Sequence, residues 1–90
     1  MLREYQVMCM IKANSELVVV PARVYAEDEN GAKILARRLL EAADDIDKII
    51  SVGAVSPRSP GVIDNGPATQ SDIDSWKLHC KKYNINTNIN

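Results

Sequence analysis

From Tyr5 to Ala13 the side chains sort into two faces, and both are apolar at the centre. Tyr5, Val7, Cys9 and Ile11 fall on one side of an extended chain, with Gln6, Met8, Met10 and Lys12 on the other. A period of two predicts a strand over 5–13. Asn14-Ser15-Glu16 reads as a turn. Residues 17–26, rich in β-branched Val18, Val19, Val20 and Val24, read as a second strand, so the pair forms a hairpin. Pro21 has no N–H for a ladder, which places this strand at an edge or at a bulge.

The period then lengthens. Ala32, Leu35, Ala36, Leu39 and Ala43 recur every three or four residues, the single apolar stripe of a helix lying on a sheet. Asp28 is the expected N-cap, and Asp44-Asp45-Ile46-Asp47 ends the helix. Lys33, Arg37, Arg38 and Glu41 sit away from the stripe. Residues 48–55 are apolar apart from Lys48, Ser51 and Gly53 and predict a third strand. Ser56-Pro57-Arg58-Ser59-Pro60-Gly61 and Asn65-Gly66-Pro67 break regular structure. Ser71 with Asp74 resembles a capping box before a short helix to about Tyr83, whose stripe is Ile73, Trp76, Cys80 and Tyr83. The Asn-rich residues 84–90 alternate strictly and read as a frayed tail, with a small edge strand as the alternative.

The expected fold is therefore α+β: a three-stranded antiparallel sheet of order 2-1-3, one long helix on one face (ββαβ), and a short C-terminal helix. Residues 1–55 form the core domain, 56–70 a flexible Pro/Gly loop, and 71–90 the helix and tail. One helix covers one sheet face. The other face carries Met8, Met10, Val19, Tyr25, Ile49 and Val55 among Gln6, Lys12 and Arg23, too apolar to be left bare without a use. Either the Trp76 helix folds over it, or a partner or second copy does. The expected partner-binding residues are Met8, Met10, Lys12, Arg23 and Tyr25, joined by Arg37 and Arg38. Methionine adapts to varied surfaces, and Tyr and Arg are enriched at binding hot spots.

Composition narrows the choice. Ninety residues with 46% hydrophobic and 26% charged positions make one globular domain. The formal charge is −1, split as about −2 before residue 56 and +1 after it. Neither part has the clustered cations that grip phosphate or an anionic membrane. Nucleic-acid binding through Arg23, Lys33, Arg37 and Arg38 is thus the alternative reading, a small accessory protein. Glu27-Asp28-Glu29 and Asp44-Asp45-Asp47 are capping and solubilising acids, or else imitate phosphate before a basic protein. No leader or membrane span is evident, so the chain is expected in the cytoplasm with reduced thiols.

Chemistry is sparse. His79-Cys80 is the one reactive-looking pair, but neighbours on a helix point about 100° apart and no third group orients them. Cys9, His79 and Cys80 are too few for a structural zinc site. No glycine-rich phosphate loop or nucleophile elbow occurs. The expectation is a non-enzyme without cofactor or metal. Ser56-Pro57 and Ser59-Pro60 could accept phosphate but read as loop.

The stretch Val24-Tyr-Ala-Glu-Asp-Glu-Asn-Gly-Ala-Lys-Ile-Leu-Ala36, followed by Lys48-Ile-Ile-Ser-Val52, resembles a layout of small phage and mobile-element proteins, some anti-CRISPR proteins among them. The resemblance covers about thirty residues and is one of fold. It implies a protein that binds a host defence or regulatory protein in the host cytoplasm and blocks it sterically, with homodimerisation possible through open strand edges.

Overall fold

The computed structural model describes residues 1–54 and 61–89. The order is β1 (Arg3–Ala13), β2 (Glu16–Ala26), α1 (Glu29–Glu41), β3 (Lys48–Val52), β4 (Val62–Pro67) and α2 (Gln70–Lys82). The sheet is antiparallel with order β2-β1-β3, and β4 also pairs with β1. The expected 2-1-3 order is present, with a fourth strand added.

β1 is the spine. It pairs with β2 over its whole length, so β3 and β4 share its other side. β3 lies against Cys9 to Lys12 and β4 against Arg3 to Val7. They meet at Met8, whose N–H donates to the Gly61 carbonyl at 2.8 Å and whose carbonyl accepts from Gly53 N–H at 2.7 Å. The chain leaves the sheet at Gly53 and rejoins it at Gly61, so both strands act as one interrupted edge. Gly53 has φ +76°, and a Cβ on Gly61 would overlap the Gly53 carbonyl. Part of the expected flexible loop, Val62–Pro67, is therefore ladder. The Ser-Pro pairs and Val55 lie outside the described residues.

The Met8 bonds also explain Pro21. Met8 spends both backbone groups on the β3/β4 side, so its pairing with Pro21 across β2 carries no ladder bonds. The proline nitrogen faces outward, where no N–H is needed.

Tyr5, Val7, Cys9, Ile11, Ala22 and Val24 form the buried sheet face. Against it lie Ala32, Leu35, Ala36 and Leu40 of α1, where small alanines permit close approach. Asp28 is the N-cap, its Oδ1 accepting from Gly31 N–H at 2.7 Å. α2 is as long as α1, buries Trp76 and Cys80, and packs against β2, where the Trp76 ring meets Tyr25. Its cap is Thr69 with Asp72 rather than Ser71 with Asp74, a reciprocal capping box. The tail is packed. Ile85 is buried, and Arg38 Nη1 donates to the carbonyls of Asn86 and Asn88, each at 2.7 Å.

Candidate functional site

In-register pairs of an antiparallel sheet share a face. The face turned away from α1 therefore runs Tyr25–Glu4, Arg23–Gln6–Ile63, Pro21–Met8, Val19–Met10–Ser51 and Leu17–Lys12–Lys48. α2 meets it at the Tyr25 corner, through Trp76. Met8 and Met10 are half-buried by neighbours, whereas Val19 is 50% and Leu17 66% exposed. The result is an apolar strip bordered by Lys12, Lys48 and Arg23. Its one carboxylate, Glu4, faces Arg23 Nε at 3.7 Å.

Met8, Met10, Lys12 and Arg23 are thus brought together. Tyr25 shares their side but is buried, its ring 5.6 Å from that of Trp76 and its hydroxyl donating to Glu4 Oε2 at 3.1 Å. Burial, then the Glu4 contact, raises its phenol pKa. Arg37 and Arg38 lie on α1, across the sheet. Arg37 is exposed, and Arg38 clamps the tail. Ile49 is corrected to the covered face. It pairs with Ile11 and packs on the core, because the register shifts between Met10 and Ile11 and leaves Ile50 as the bulged residue, 43% exposed.

Sequence reasoning missed Leu17, Lys48 and Ile63 as members of the face. The parity of Leu17 with Val19 was a usable signal. Ile63 gave none, because its strand exists only by pairing.

His79 and Cys80 diverge. The Cys80 thiol is buried and its pKa raised by burial, as is that of Cys9. His79 is exposed, stacked on Trp76 at 6.2 Å and 4.8 Å from the Tyr83 ring. Among the described residues no three His, Cys, Asp or Glu side chains gather as a metal site would require, and no helix is long and apolar enough to cross a membrane. Comparison with known protein families, curated proteins and solved structures finds no match to this chain.

Proposed function

We propose that the chain is a non-catalytic protein-binding domain that applies its uncovered sheet face to a partner and acts by occlusion, as an inhibitor of a bacterial defence protein encoded by a phage or mobile element would. The observation that carries this reading is the strip Leu17, Val19, Met8, Met10 and Ile63, which lies outside the buried core. Its cationic border favours a partner patch that is apolar at the centre and acidic at the rim, since complementary charge speeds encounter. The host-protein part of the reading rests on the resemblance in layout alone.

Size-exclusion co-migration with candidate host proteins is the direct test. Met8→Glu with Val19→Glu is expected to weaken an observed complex by at least about thirtyfold, the scale of a buried hot spot. Both positions lie outside the core, so the thermal transition should hardly move. A complex that tolerates both substitutions would remove the face from the proposal.

The nucleic-acid alternative has less support. Arg23 lies on the open sheet face, Lys33 and Arg37 on α1, and Arg38 holds the tail, so the four cations form no single track. Duplex binding that survives moderate salt would reverse this ranking.

A further inference from the structure

A cleft of about 450 Å³ opens between the end of α1 and the end of α2, and none of its lining residues belongs to the open sheet face. Leu39, Ala42 and Ile85 form its apolar floor, His79 and Tyr83 its aromatic wall, and Asp44 and Asp45 its rim. The volume lies within the range of small-ligand sites. Three features favour a cation there, although Lys81 and Lys82 in the last turn of α2 are themselves cationic. Asp44 and Asp45 are exposed, and among the described residues neither has a cationic partner within 4.0 Å. They stand just past the carbonyl end of α1, where the helix dipole is also negative. The lining includes the His79 and Tyr83 rings, and one already attracts a cation, the Lys82 ammonium lying 5.4 Å from the Tyr83 centroid.

We infer that this cleft receives an arginine side chain from a basic peptide segment of a partner protein. A guanidinium meets each part of the lining. Its plane stacks on the His79 or Tyr83 ring, its N–H groups reach the Asp44 or Asp45 carboxylate, and its methylene stem lies on Leu39, Ala42 and Ile85. Lysine matches less well, because an ammonium neither stacks nor forks. Lys82 occupies the Tyr83 ring in the free protein and must swing aside. The site does not depend on the sheet face.

The test is titration of the full chain with a hexa-arginine peptide, followed by backbone amide shifts and by Trp76 fluorescence, Trp76 being the sole tryptophan and stacked on His79. Saturable shifts confined to residues 39–45, 79–85 and their neighbours are expected, with hexalysine weaker by several-fold. Asp44→Asn with Asp45→Asn should weaken binding at least tenfold, Tyr83→Ala several-fold, and Lys82→Ala should strengthen it. Met8→Glu with Val19→Glu should leave it unchanged, separating this site from the sheet face. Shifts spread equally over Glu27, Asp28 and Glu29, or affinity indifferent to both Tyr83→Ala and the double Asn variant, would overturn the assignment.

Discussion

Arg38 illustrates how one side chain decides whether a segment belongs to the fold. By spacing it is a solvent-facing helix residue, yet its guanidinium holds two tail carbonyls. Arg38→Ala is expected to cost about 1 kcal/mol, a charged hydrogen-bond contribution discounted for exposure. Residues 86–89 should then exchange amide protons faster, which hydrogen exchange would read directly. Gly61 makes the opposite point, since what matters there is the lack of a side chain. Gly61→Ala forces a methyl into the Gly53 carbonyl and should cost at least about 2 kcal/mol by breaking the junction at Met8, measured by denaturant unfolding. Asp64 carries an acid-side signature. Arg3 donates to its carboxylate at 2.9 Å and Gly66 N–H at 2.8 Å, and these bonds hold its pKa below the ordinary value. The depressed pKa gives stability that is present above the unfolded-state pKa and is lost as pH falls through the folded one. Asp64→Asn should therefore flatten the stability curve below about pH 4 and leave its shape at neutral pH unchanged.

Among the elements, β1, β2 and α1 were readable because each carries a local pattern: alternation, β-branching, or a stripe behind an Asp cap. β4 has none of these. Val62-Ile-Asp-Asn-Gly-Pro is full of turn formers, and it is a strand because β1 has unpaired backbone groups on that side. Gly66, at φ +100°, and the two-for-one register opposite Glu4 show the same ladder accommodating a bulge. In α2 the helix was evident and its start was not, because Thr69-x-x-Asp72 and Ser71-x-x-Asp74 are the same signature two residues apart. The entry of the chain, with Ala68 N–H donating to the Leu2 carbonyl at 3.0 Å, selects the first. Thr69→Ala should cost about 1 kcal/mol and Ser71→Ala little, a contrast that thermal melts would resolve. Trp76 fastens α2 to Tyr25 and the core. Trp76→Ala should cost about 3 kcal/mol, seen as a lower denaturation midpoint.

For the molecule as a whole, the sheet has a covered side and a bare one. The sequence predicted both sides of β1 and β2 from period-two parity, and with them Met8, Met10, Lys12 and Arg23 on one surface. It also implied that one helix leaves a face over. It did not say where α2 would go, and the exposure of the second sheet face depends on that. α2 lies against β2 and meets the bare side at Tyr25, so that tyrosine joins the core while the methionines remain outside. Ile49 went the other way, moved to the covered side by a one-residue slip that a strand in isolation cannot reveal. Periodicity is a property of neighbours along the chain, so one-dimensional information sets which residues share a face. Which faces meet, which strands form only by pairing, and which charges stand beside a cleft depend on contacts between residues far apart in sequence. Those contacts come into being only when the chain closes on itself.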